Sequence, residues 1–193
     1  MALVPQFKTF HERFSKTPWL GDLLTGLVAL AVILADQVTK ALVVARFAGI
    51  HQDDVVPVFG NVLSIVYLQN TGSAFSAFQN SPVILAILIL IACCVVAWLY
   101  WSQRAHPYFW RSLAFGFIIG GAVGNLADRV RLGYVVDFIH FQLPAIHFNF
   151  AVFNVADSCI DIGIFLLVIS LWRSFRPSDS RRPETAQSDT PSG

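Results

Sequence analysis

The chain has 193 residues, of which 55% are apolar and only 13% are charged, with a mean hydropathy of +0.62. A soluble domain carries about 25% charged residues, so an ordinary water-soluble globule is excluded. A formal net charge of +1 also leaves no electrostatic footprint for nucleic acid.

Residues 1–19 are mixed and basic, with Lys8, Arg13 and Lys16. They read as a cytoplasmic N-terminal extension rather than a cleavable signal peptide. Four apolar segments then reach or nearly reach the ~20 residues needed to cross hydrocarbon. The first runs from about Leu20 to Ala45 and is interrupted by Asp36 and Lys40, an i,i+4 pair whose mutual neutralisation suffices to explain it. A long loop follows. Its stretch Val62 to Leu68 is β-branched and aromatic after a Gly60-Asn61 turn signal, which predicts a small sheet on the outer membrane surface. Asn70-Thr71-Gly72-Ser73-Ala74-Phe75 ends this loop, either as a plain polar turn or as an amide that binds backbone.

The second span, Val83 to Trp101, is uncharged and closes on the aromatic residues Trp98, Tyr100 and Trp101. The third, about Trp110 to Ala127, carries Gly116, Gly120, Gly121 and Gly124, whose spacing lets a neighbouring helix approach closely. It ends in a polar run. There Asn125 and Arg129 share a face and Asp128 lies i+3 from Asn125, an arrangement that fits either an interfacial Asp–Arg pair or a cation holding a carbonyl or lipid oxygen. The fourth span runs from about Val155 to Trp172. Residues 176–193, rich in Pro, Ser, Thr and charge, read as a disordered cytoplasmic tail. The peptide chain between, 20–175, is one membrane domain. Cys93, Cys94 and Cys159 lie in apolar runs and read as small fillers.

Basic residues set the orientation. Lys8, Arg13, Lys16, Arg104, Arg111, Arg173, Arg176, Arg181 and Arg182 mark the N-terminus, the second loop and the tail as cytoplasmic, while the first loop has no Lys or Arg. At 1.5 Å per residue, Asp36 then lies roughly 24 Å above Leu20 and Asn125 roughly 22 Å above Trp110, both near the outer boundary of a core about 30 Å thick. Asp137 and Asp157 fall at the same level.

Asp137 and Asp157 flank one loop, so a helical hairpin is expected to bring the two carboxylates face to face. Two carboxyls in a dry site share one proton, and such a pair can activate water with its ionised member and protonate a leaving amine with the other. The alternative is that each caps a helix or pairs with Arg129 or Arg131. His51, His140 and His147 have no metal-site spacing, so neither metal nor cofactor is expected.

Taken together, the boxes Asp36-Gln37-x-Thr39-Lys40, Asn70-x-Gly72-x-Ala74-Phe75, Gly120-Gly121-x-x-Gly124-Asn125-x-x-Asp128-Arg129, Val136-Asp137-Phe138 and Phe153-Asn154-x-Ala156-Asp157 resemble the signal peptidase II family, in its order and over about residues 22 to 173. The resemblance implies an intramembrane aspartyl endopeptidase of the bacterial inner membrane, with four transmembrane helices, an extracytoplasmic sheet and a short surface helix. Such enzymes cut prolipoproteins just before a diacylglyceryl-modified cysteine. It implies Asp137 and Asp157 as the catalytic pair, Asn70, Asn125, Arg129 and Asn154 as substrate-binding, and Asp36, Lys40, Gly72 and Asp128 as supporting residues. It also implies contact with membrane lipids and inhibition by globomycin-type cyclic peptides; a monomer is the default. Asp161, one turn beyond Asp157, departs from the family pattern and either perturbs Asp157 or faces another helix. The rival reading is a small transporter or proton-relay protein, which would place its acids near the midplane and show an internal repeat; no repeat is evident.

Overall fold

The computed structural model describes residues 17–48, 54–72, 82–104 and 108–175, with side chains in the second helix described from Ile91 onward and in the last helix as far as Trp172. The elements run α1 (Pro18–Phe47), β1 (Val56–Phe59), β2 (Leu63–Asn70), α2 (Pro82–Gln103), α3 (Phe109–Leu132), β3 (Val135–Leu143), a 3₁₀ turn (Pro144–Ile146), β4 (Phe148–Asn149) and α4 (Val155–Phe175).

Helix α1 shows an inverted amphipathic pattern. Leu23, Leu27, Leu30, Leu34, Val38 and Leu42 form an exposed apolar stripe at three- and four-residue spacing, while Gly21, Thr25, Ala29, Val32, Asp36 and Lys40 face inward. That is the arrangement of a helix solvated by lipid and packed through small and polar groups. Among the described residues three helices are long and apolar enough to cross a bilayer by length and composition: Pro18–Phe47, Phe109–Leu132 and Val155–Trp172.

Packing centres on α3, between α1 and α4. The third span's glycines are the reason: a Cβ on Gly116 would lie 2.6 Å from Val28 Cβ, one on Gly120 2.8 Å from Ala29 O, and one on Gly121 2.5 Å from Ala156 O. Close approach therefore depends on the missing side chains on two faces of one helix. Ala114, Phe115, Ile118 and Leu167 form the core between α3 and α4. Cys93 and Cys94 lie on the exposed face of α2 rather than filling a core, and with Cys159 they are free thiols.

The four strands form an antiparallel sheet in the order β1-β2-β3-β4. Gly60, at φ +50°, closes the β1–β2 turn, where Val62 N donates to Phe59 O at 3.0 Å. Val43 and Phe47 at the end of α1 pack with Phe138 of β3, fixing the sheet to the bundle. Three expectations change here. The segment after α3 is not an arm of a helical hairpin: Asp137 lies on β3, opposite Leu68 of β2. In addition, α3 continues past Ala127 through Asp128 and Arg129 to Leu132 and stops where Gly133, at φ +83°, donates its N–H to Arg129 O. Where a short surface helix was expected, the described residues hold the single 3₁₀ turn Pro144–Ile146.

Candidate active site

The site is built at the end of the α1–α3–α4 bundle that carries the sheet. Asn154 and Asp157 form a reciprocal cap at the start of α4. Asp157 N donates to Asn154 Oδ1 at 2.9 Å, and Asn154 N donates to Asp157 Oδ2 at 3.2 Å. Asp36 adds a third contact across the bundle, accepting from Ala156 N at 3.0 Å. Helix α4 thus opens onto two carboxylates where its dipole favours negative charge.

From there a chain of amides leads to Asp137. Asn125 Nδ2 donates to Asp157 Oδ1 at 2.7 Å; Asn154 Nδ2 donates to Asn125 Oδ1 at 3.2 Å and to Asp137 Oδ1 at 2.7 Å. Asn70 Nδ2 completes Asp137 by donating to Oδ2 at 2.8 Å. Asn70 is aimed by its own turn, since Gly72 N donates to its Oδ1 at 2.8 Å and Gly72, at φ +104°, takes a conformation other residues avoid. The turn reading and the binding-amide reading are therefore compatible.

Below lies an ionic base. Lys40 Nζ reaches Asp36 Oδ2 at 2.9 Å, Asp128 Oδ2 at 2.8 Å and Asn125 Oδ1 at 3.0 Å, using its three donors on three acceptors. Asp128 Oδ2 also accepts from Val136 N at 3.2 Å, which places the residue beside Asp137. The Asp36–Lys40 pair is present and architectural: besides neutralising each other, its members tie α1 to α3 and cap α4. Gly124 leaves the room this needs, as a Cβ there would sit 2.6 Å from Asp36 Oδ2.

Asp36, Asn154 and Asp137 are at most 1% exposed, and Lys40 and Asp128 at most 3%. Among the described residues no buried side-chain polar atom lacks a partner, as a dry polar network requires. Burial pushes the Asp137 carboxyl up to about 6, and the nearby Asp157 charge adds to this; Asn70, Asn154 and Lys40 pull the other way.

Arg129 is half-buried and donates to Asn125 O at 3.3 Å. Asp128 pairs with Lys40, so of the two readings of this run the Asp128–Arg129 ion pair is not the one formed, and Arg131 donates to Gln37 Oε1 at 2.9 Å instead of reaching an acid of the pair. Asp161 lies on the exposed face of α4, not against another helix. Ser73, Ala74 and Phe75 of the second box, and His51, lie outside the described residues. Among the described residues no three His, Cys, Asp or Glu side chains converge as a metal centre would require.

Gln37 was overlooked as a functional position. Its Nε2 reaches Asp128 Oδ1 at 3.0 Å, Gly124 O at 3.2 Å and Asp36 Oδ2 at 3.2 Å, making it a clamp between α1 and α3. Its place between Asp36 and Lys40 was the only signal.

Residues 28–173 match the family model for signal peptidase (SPase) II. A lipoprotein signal peptidase from Streptococcus agalactiae serotype Ia is 35% identical over 154 residues, covering 80% of this chain and 95% of that protein. One from Streptococcus pyogenes serotype M5 is 36% identical over 149 residues, covering 76% and 91%. Two solved structures of bacterial membrane enzymes are similar in fold. One has a TM-score of 0.64 at 29% identity, covering 76% of this chain and 91% of that one; the other has 0.66 at 28%, covering 80% and 93%.

Proposed function

The chain belongs to the signal peptidase II family, and on that premise we propose that Asp137 and Asp157 are the acid pair with which it removes signal peptides from prolipoproteins. The enzyme is a membrane peptidase of the aspartyl type. The observation that supports this assignment is the continuous hydrogen-bonded path Asp137–Asn154–Asn125–Asp157, buried from Asp137 to Asn125, half-buried at Asp157 and anchored on Lys40.

With one proton between them, the ionised carboxylate takes a proton from a water as that water's oxygen attacks the scissile carbonyl carbon. The neutral carboxyl hydrogen-bonds the carbonyl oxygen as it gains charge, and its proton passes to the departing nitrogen as the C–N bond breaks. Asn70, Asn125 and Asn154 hold the two acids, and with Arg129 they are placed to pair with substrate backbone. Asp36, Lys40, Gln37, Gly72 and Asp128 keep that frame rigid. The nitrogen released is that of a diacylglyceryl-modified cysteine. A site at the lipid boundary meets this bond while the signal helix and acyl chains stay in lipid, and each buried methylene contributes roughly 0.8 kcal/mol.

In the same reading α2 is a fourth span, residues 20–175 are the peptidase domain, residues 1–19 and 176–193 are cytoplasmic, and the acid pair faces outward across the inner membrane. Globomycin-type peptides would occupy the same cleft, and a monomer suffices for the chemistry. The test is cleavage in detergent of a lipidated prolipoprotein and its unlipidated precursor. The expected result is cutting before the modified cysteine of the lipidated form only, lost in Asp137→Asn and in Asp157→Asn. Full activity in either variant would overturn the assignment, and equal cleavage of both precursors would overturn the lipid requirement.

A further inference from the structure

A second polar cluster lies at the opposite end of the bundle and takes no part in this chemistry. A cleft between the start of α1, the end of α2 and the start of α3 is lined by Asp22, Tyr100, Arg104, Tyr108, Arg111 and Ser112, among others. The Tyr100 hydroxyl donates to Asp22, whose carboxylate also pairs with Arg104 at 3.3 Å. The Arg104 guanidinium lies over the Trp101 ring at 4.5 Å, and that of Arg111 over the Tyr108 ring at 5.9 Å. Arg111 Nε donates to Ser170 Oγ at 3.4 Å.

We propose that this cleft binds the phosphodiester of an anionic phospholipid in the leaflet remote from the acid pair. Three observations converge. First, guanidiniums from two helices meet at one cleft, and planar forks of this kind pair well with phosphate oxygens. Asp22 pairs with Arg104 at the same cleft. Second, all five tryptophans of the chain, Trp19, Trp98, Trp101, Trp110 and Trp172, lie at this end of their helices and each is exposed. Such a ring marks headgroup depth, where the cleft mouth meets lipid phosphate. Third, the cleft's accessible volume is only ≈ 20 Å³, room for one water or one phosphate oxygen rather than a whole head group. The phosphate therefore sits in the mouth, with Tyr108 and the guanidiniums around it. Basic pockets between spanning helices hold anionic head groups by this chemistry.

The test uses the full chain, purified in detergent and delipidated, then offered equal phosphatidylglycerol and phosphatidylcholine and read by native mass spectrometry. Phosphatidylglycerol should be retained over phosphatidylcholine, and Arg111→Gln should cut that retention about fivefold while peptidase activity is unchanged. Asp22→Asn should act in the opposite direction, because it releases Arg104. Equal retention of the two lipids, or undiminished retention in a folded Arg111→Gln protein, would overturn the proposal. Complete displacement of the lipid by excess inorganic phosphate would also overturn it, in favour of a free-anion site. If Arg111→Gln fails to fold, Asp22→Asn decides, and no rise in retention counts against the proposal.

Discussion

The two ends of the bundle each join an aspartate to a basic residue, and they differ in almost everything else. At the end that carries the sheet Asp36 and Lys40 meet at 2.9 Å with side chains 0% and 4% exposed, inside a network in which every buried polar side-chain atom described has a partner. At the opposite end Asp22 and Arg104 meet at 3.3 Å with side chains 36% and 39% exposed. The same charges thus do different jobs. A buried, fully bonded pair fixes geometry, and losing one partner strands the other charge. A half-exposed pair is screened, contributes little to stability and leaves its cation available to neighbours.

The sharpest way to break this contrast is Lys40→Met. It leaves Asp36 and Asp128 buried without their cation, and Asn125 Oδ1 loses a donor. The expected loss is about 3–5 kcal/mol, seen as a collapse of the thermal midpoint in detergent together with loss of cleavage.

Next comes the pH dependence of stability. The Asp137 carboxyl is raised from an ordinary value of 3.8 to about 6 in the folded chain. Between roughly pH 4 and pH 6 the unfolded chain has lost this proton and the folded chain still holds it, so stability falls as pH rises through that window and levels off above it. Measured against Asp137→Asn, the wild type should lose on the order of 2–3 kcal/mol across the window. Parallel curves for the two proteins would mean that Asp137 is not held in a dry site.

The smallest effect belongs to the other end. Arg104→Gln should change stability by at most about 1 kcal/mol and should leave prolipoprotein cleavage intact. A loss as large as that of Lys40→Met would erase the distinction between the two ends.

Much of this contrast was legible in the sequence, because ionisable residues in apolar runs are conspicuous. Asp36, Lys40, Asn125, Asp128, Asp137, Asn154 and Asp157 were all singled out, and the structure brings them into one network. The glycine spacing on α3 correctly marked close helix approach. The element carrying Asp137 was misread. Val135-Val136-Asp137-Phe138 is too short for its period to tell a strand from a helix end, and only pairing with distant β2 decides the matter. A helix cap by Asp157 was one of the readings open from the sequence, and the structure shows it; the reciprocal part of Asn154 was not foreseen, because the pair lacks the Ser/Thr and Glu/Gln of the usual capping box. The role of Gln37 depends on a register between α1 and α3 that no local pattern encodes.

The most direct test of the central assignment is a double-mutant cycle on the two acids. Single-turnover cleavage of a lipidated prolipoprotein would be measured for wild type, Asp137→Asn, Asp157→Asn and the double variant, with each confirmed as folded. If the carboxyls work one water together, each single change removes nearly the whole rate enhancement and the double variant is no slower than either. Losses that multiply in the double variant would show that the two groups act independently and would contradict the account.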